Sequence, residues 1–280
     1  MLPNFLIVGG QRCGTTYLWG LLKQHPQIFM SEEKETQYFG ELLQDKGYPI
    51  QQYKHHFAAV RNEIAIGEAS VENMFLDGIA PLISQTLGNN IRLIFLLRNP
   101  IDRAYSHYWM MIAKYREYLP FEKALRAEPH RIHRSFHDLR SYSYISRGYY
   151  ATQIQRYLRY FPRERMLFLL SDDLYNHTDQ TLSSICRHLG VTEHFRFEKS
   201  VDKYSMPIPK NITLFRLLNF VQLSIKEKPG YWKIRAWQNK LLDRKNTYPP
   251  MQETTRIKLQ EYYLNANQDL GHLLGKDLSH

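Results

Sequence analysis

The chain has 280 residues, enough to bury one large core or two small ones. Thirty-seven Lys and Arg against twenty-seven Asp and Glu leave a net charge of +10. With no block of five consecutive basic residues, that surplus favours a small anionic ligand over nucleic acid. Two cysteines exclude a disulfide framework or a zinc site, and no apolar run is long enough to cross a bilayer.

In chain order, Phe5–Val8 is a short apolar run. It leads into Gly9-Gly10-Gln11-Arg12-Cys13-Gly14-Thr15-Thr16 and then into the apolar-periodic Tyr17–Leu22. This order predicts a strand, a phosphate-binding loop and a helix. The loop fits the spacing G-x-x-x-x-G, but Thr15 stands where an NTP-binding loop carries Lys, and the cation has moved back to Arg12. Strand and loop begin so near Met1 that no cleavable leader fits before them, so the expectation is a soluble, cytoplasmic protein unless an anchor precedes Met1. A charged stretch follows, Ser31–Phe39, containing Lys34, Glu35, Tyr38 and Phe39. Residues 40–60 read as a loop and helix excursion, Ala65–Ser70 as a second strand with a polar end, and Ile79–Leu87 as a helix.

Ile91–Leu97 is the strongest buried strand of the chain, a near-continuous apolar run of the kind parallel sheets use. It ends in Arg98-Asn99-Pro100 and a predicted helix carrying Ser106 and His107. Residues 114–140 have weak helical period; 148–161 carry a helical stripe at Tyr150, Ile154, Leu158 and Phe161. Met166–Leu170 is another buried strand, followed by Asp172-Asp173 and a helix through Leu182, Ile185 and Leu189. From Thr213 onward the chain reads as wholly helical apart from turns at 228–230 and 249–250. The alternation predicts an α/β protein: a P-loop-type central parallel sheet flanked by helices, in a single domain 1–280 whose part 212–280 is helical.

In open α/β sheets ligands collect beyond the carboxyl ends of the strands, which puts Arg98 on the same rim as the first loop. The loop offers backbone donors, the hydroxyls of Thr15 and Thr16, and Arg12; the second element offers Arg98 and Ser106. Two separate phosphate-grade sites suit a 3′,5′-bisphosphorylated nucleotide better than an NTP, whose loop needs a Lys and usually Mg²⁺. No metal site is expected.

These residues resemble the sulfotransferases that use 3′-phosphoadenosine 5′-phosphosulfate (PAPS), in particular the glycan-modifying, heparan-sulfate-sulfotransferase-like branch and its bacterial relatives. Gly10–Thr16 is similar to their 5′-phosphosulfate loop, and Arg98-Asn99-Pro100-x-Asp102-Arg103-Ala104-Tyr105-Ser106 to their 3′-phosphate motif. Lys34-Glu35 ahead of Tyr38-Phe39, Gly67-Glu68-x-Ser70, Gly148-x-Tyr150 and 274–278 resemble further motifs of that branch. The resemblance implies sulfuryl transfer from PAPS, leaving PAP, to a hydroxyl, less favoured an amine, of a carbohydrate or glycolipid. Arg12, Cys13, Gly14, Thr15, Thr16, Arg98, Ser106 and Lys210 would hold the nucleotide, with Lys203 second to Lys210. Arg12 would stabilise charge on the departing group, and Glu35 would be the general base. His107 is a weaker candidate base, Glu68 and Ser70 fit either substrate contact or packing, and Cys13 fits space-filling. Peripheral contact with a membrane and the oligomeric state are left open. The competing readings are a P-loop kinase or NTPase, and a non-catalytic anion- or glycan-binding protein on the same fold.

Overall fold

The computed structural model describes residues 1–199, 207–224, 231–243 and 248–275. Lys203, the turn at 228–230 and positions 276–278 of the terminal motif lie outside them. The chain forms two compact units interleaved in sequence. One takes in residues 1–99, 149–203 and 266–280, the other residues 100–148 and 204–265.

The first unit is built on five parallel strands: β1 (Phe5–Gly9), β2 (Ile28–Met30), β3 (Ala65–Ala69), β4 (Arg92–Leu97) and β5 (Met166–Leu170), in the order β2-β3-β1-β4-β5. The apolar runs of β1 and β4 lie inside the sheet with both faces covered, and Phe5, Leu6, Ile7 and Val8 are fully buried. β1 therefore lies between β3 and β4, with Phe5 opposite Gly67 on one side and Arg92 on the other. Gly67 is required there, since a Cβ at that position would fall 2.2 Å from Phe5 Cζ. The helix Thr15–Leu22 packs Leu18, Leu21 and Leu22 into a core shared with Ile7, Ile94, Leu174, Leu182 and Cys186.

The expected parallel sheet is present, with three differences in detail. β2 was not anticipated as a strand; it is three residues long and held by pairing to β3. The helix after β5 is two, Ser171–Asn176 and Thr178–Leu189, separated at His177. The C-terminal part is not wholly helical. In the second unit β6 (Ile208–Pro209) pairs antiparallel with β7 (Leu242–Asp243), between the helices Ile212–Ser224, Tyr231–Leu241 and Glu253–Leu274. The cause is long-range backbone pairing, extended by the Lys210 amide donating to Leu241 O at 2.9 Å.

The second unit is tied by buried charge. Glu117, fully enclosed, accepts from Arg131 at 2.6 Å and from the Tyr144 hydroxyl at 2.8 Å, and Glu128 accepts the amides of Ile145 and Ser146 at 2.6 and 2.8 Å. The helix Pro100–Ala113 is buried along most of its length.

Candidate active site

In the first unit, the carboxyl ends of β1, β2, β3 and β4 converge, and the strand order reverses at β1, so the crevice opens where the loop after β1 begins. The helix Thr15–Leu22 has Gly14 at its N-cap with φ 93°, no side-chain cap and no acid in its first turn. A Cβ at Gly14 would be strained by that φ and would meet the Tyr175 hydroxyl at 3.0 Å. The first amides of an α-helix have no acceptor within it, so this end presents uncapped donors and the positive end of the helix dipole.

The loop is braced from three sides. Its Gly10 amide donates to Leu96 O at 2.6 Å, and Cys13 N–H donates to Gly10 O at 3.2 Å. The Ser171 hydroxyl, just after β5, lies 2.5 Å from Cys13 O and 3.0 Å from Leu97 O and donates between them. Arg98 donates from Nη1 to Arg12 O at 3.3 Å. The two cationic elements expected on one rim are thus joined directly. Tyr175 stacks on Tyr17 with centroids 5.4 Å apart; burial pushes its phenol up, while the nearby Arg98 and Arg12 pull the other way.

Across β1, Glu35 follows β2. Its amide donates to Ala69 O at 3.0 Å, its Oε2 accepts the Val71 amide at 2.9 Å, and its Oε1 is paired with Lys34. Beneath it Glu68, at the end of β3, is fully buried; Thr36 Oγ1 donates to its carboxylate, as do Ser70 Oγ and Asn73 Nδ2, each at 3.4 Å. Burial pushes the Glu68 carboxyl up to about 7, the charge of Glu35 adding to the shift and the three hydrogen bonds opposing it. Arg12 (φ 67°) and Glu35 (φ 65°) both have left-handed backbones. Such conformations cost about 1–3 kcal/mol each and persist only where surrounding contacts over-determine them. Here Arg98 fixes the carbonyl of Arg12, and the 69–71 backbone fixes Glu35 at two points.

The rim thus brings together Arg12, Gly14, Thr15, Thr16 and Arg98, with Glu35 on the other side of β1. Thr15 is buried and Thr16 exposed. Cys13 lies in the same loop with its thiol fully enclosed, as a packing residue. Glu68 is enclosed and its carboxylate holds Thr36. Ser106 and His107 belong to the second unit. Ser106 is buried, and His107 is fully enclosed against Tyr144, ring centroids 4.9 Å apart. Within the 3′-phosphate-like motif, Asp102 pairs with Arg256 at 2.8 Å and buried Arg103 donates to Tyr144 O, so both serve the second unit's structure. Lys210, also in that unit, has an exposed side chain beside the β6–β7 ladder. Sequence reading missed Ser171 and Thr36. Ser171 carried one usable signal, its place at the carboxyl end of a strand. Among the described residues no group of three His, Cys, Asp or Glu is arranged to hold a metal, and no helix is long and apolar enough to cross a membrane.

A parallel sheet whose central strand feeds an uncapped, arginine-flanked helix N-terminus defines a P-loop-type α/β fold. The sulfotransferase domain model matches residues 2–242, and the chain belongs to that family. It is 27% identical over 290 residues to the mouse bifunctional heparan sulfate N-deacetylase/N-sulfotransferase 4, and 27% identical over 293 residues to the human N-deacetylase/N-sulfotransferase 3. Each match covers 98% of this chain and 30% of the relative, so the chain spans about a third of the length of these proteins. Among solved structures, a sulfotransferase from Alicyclobacillus acidocaldarius matches with a TM-score of 0.73 and 25% identity, covering 100% of this chain and 98% of that one.

Proposed function

We propose that the protein transfers the sulfuryl group of PAPS to a carbohydrate or glycolipid acceptor. The observation that carries this reading is the Arg98–Arg12 bond, which joins an uncapped helix N-terminus and a second cationic element into one anion site without the lysine of an NTP-binding loop. The donor set fits the nucleotide: loop amides, Thr15, Thr16 and Arg12 for the 5′-phosphosulfate, and Arg98, with Ser106 by its place in the sequence motif, for the 3′-phosphate. Lys210 is the proposed cation of the C-terminal part. PAPS supplies an activated sulfuryl group whose transfer leaves PAP.

The chain's own residues supply the rest. Arg12 stands where charge develops on the departing bisphosphate, and a fixed cation there lowers the barrier without reorganisation. Glu35 takes the acceptor's proton as the acceptor oxygen bonds to sulfur and the bond from sulfur to the bisphosphate breaks. Its anchoring by Val71 N–H and Lys34 holds the carboxylate in one orientation.

A hydroxyl acceptor is the first reading. An amine is the second, favoured by the names of the two mammalian relatives, both N-sulfotransferases. The test is transfer of radiolabelled sulfate from PAPS to a polysaccharide offered with free amines and with those amines acetylated. Labelling of both forms supports the hydroxyl, and labelling of the free-amine form alone supports the amine. Mg²⁺-dependent ATP turnover with no transfer from PAPS would show an NTPase. Binding of PAP with no transfer to any acceptor would show a non-catalytic protein.

A further inference from the structure

In the second unit, the helix Ile212–Ser224 buries Phe215 against Tyr115, but it and the helix Tyr231–Leu241 otherwise turn polar residues inward and large apolar ones outward. Asn219 and Gln238 are fully buried and Gln222 nearly so, whereas Leu217, Phe220 and Leu223 are 58%, 50% and 37% exposed and Trp232 and Trp237 are 74% and 51% exposed. The polar seam explains how this arrangement holds. Asn219 Nδ2 donates to Glu117 O at 2.8 Å and to Ile112 O at 3.3 Å, and Asn219 Oδ1 accepts from Gln238 Nε2 at 2.6 Å. The Tyr115 hydroxyl donates to Asn239 Oδ1. Hydrogen bonds fasten the pair to the unit, and the apolar stripe at i, i+3 and i+6 is left outward.

The charge on the same two helices has one sign. Tyr231–Leu241 contains Lys233, Arg235 and Lys240 and no acid, and Ile212–Ser224 contains Arg216 and no acid. Arg216 is engaged inward with the Tyr108 hydroxyl at 2.7 Å, while Lys233 and Lys240 are exposed. Exposed Leu and Phe offer no hydrogen bonds to a sugar. A second copy of this face would bring Lys233 and Lys240 against like charge. Leu and Phe to enter an acyl layer, Trp for the headgroup level and Lys for lipid phosphates are together the chemistry of an anionic membrane surface. We infer that these two helices, through the exposed Leu217, Phe220, Leu223, Trp232 and Trp237 and the exposed Lys233 and Lys240, dock the protein peripherally on anionic lipid bilayers. Docking there keeps a sulfotransferase at the surface where a glycolipid acceptor would lie, but the inference does not depend on that activity.

The test uses the full chain with phosphatidylcholine vesicles, with and without phosphatidylserine. Co-sedimentation is expected with the phosphatidylserine vesicles, accompanied by a blue shift of tryptophan emission and reversed by high salt. Each basic residue near such a surface contributes about fivefold in partitioning. Lys233→Glu with Lys240→Glu is therefore expected to lower binding by at least about twentyfold. Phe220→Ser with Trp237→Ser is expected to remove the blue shift while leaving thermal unfolding intact. Three results overturn the inference: no sedimentation with either vesicle type, sedimentation that both double variants retain, or a concentration-dependent dimer or polysaccharide complex that these variants abolish in the absence of any vesicle binding.

Discussion

The Thr36 hydroxyl donates to the buried carboxylate of Glu68, so the residue directly after Glu35 is fixed from beneath by an acid of the neighbouring strand. Together with the Glu35 amide on Ala69 O and the Val71 amide on the Glu35 carboxylate, this bond locks residues 35–36 to the end of β3.

Glu68 is predicted to give stability a pH dependence. Its folded value of about 7 lies above the ordinary value of 4.5, so the folded state holds a proton that the unfolded state releases. Stability from this group is full below about pH 4.5 and falls as pH rises toward 7, by about 3 kcal/mol for an enclosed carboxyl. Glu68→Gln should flatten that fall, as urea unfolding of both proteins across this range would show. An equal slope in the two proteins would refute the assignment. Of the groups around Glu68, Glu35, Tyr48, Tyr53 and Tyr157 are titratable, and Glu35, itself paired with Lys34, is the charge that acts on it.

Glu35→Gln keeps the shape of the side chain and one hydrogen-bond acceptor for Val71 but cannot take a proton. Turnover should fall about 10²- to 10⁴-fold, the usual contribution of a general base. Product-nucleotide affinity, read by calorimetry with PAP, should be unchanged. A matching loss of affinity would place Glu35 in nucleotide binding.

Arg98→Ala removes a cation and releases Arg12 O. Charge-assisted hydrogen bonds contribute about 1.5–3 kcal/mol, so PAP should bind roughly 10- to 100-fold more weakly. Arg12→Ala should instead reduce turnover more than PAP affinity, because its proposed role is to meet charge that develops during transfer. Equal effects of the two substitutions on affinity and turnover would remove that division of labour.

Ser171→Ala leaves Cys13 O and Leu97 O without their shared donor in a buried setting. A loss of about 1–3 kcal/mol in stability is expected, with weaker PAP binding, since the phosphate loop loses its tie to β5. Ser171→Thr, which retains the hydroxyl, should restore much of both. Failure of Thr to rescue would point to steric crowding at the loop.

The parts of the molecule visible in the sequence were those defined by contiguous residues. β1, its loop and the following helix occupy adjacent positions, and β4 followed by Arg98 is an apolar run with an abrupt polar end. What was hidden depends on distant partners. β2 is too short to show a period and exists because β3 pairs with it. The role of Glu68 could not be read while its partners Thr36 and Asn73 were unplaced, since a strand-end acid serves a substrate and a scaffold equally well. β6 and β7 are two residues each, brought together across the helices between them. Nothing local marks Asn219 and Gln238 as inward-facing; only their partners in the fold turn them inward.

The interleaving of the two units has a consequence for synthesis. β4 pairs on one edge with β1, which precedes it in the chain, but its other edge is covered only by β5, from Leu93 opposite Met166 to Leu97 opposite Leu170. The whole of residues 100–148 must be made in between. Throughout that interval the nascent chain carries an open hydrophobic edge, the kind of template that invites strand pairing between molecules. Chains stopped before Met166 are expected to be insoluble and those extended past Leu170 to recover solubility, so that the position of one late strand governs how well the protein survives its own translation.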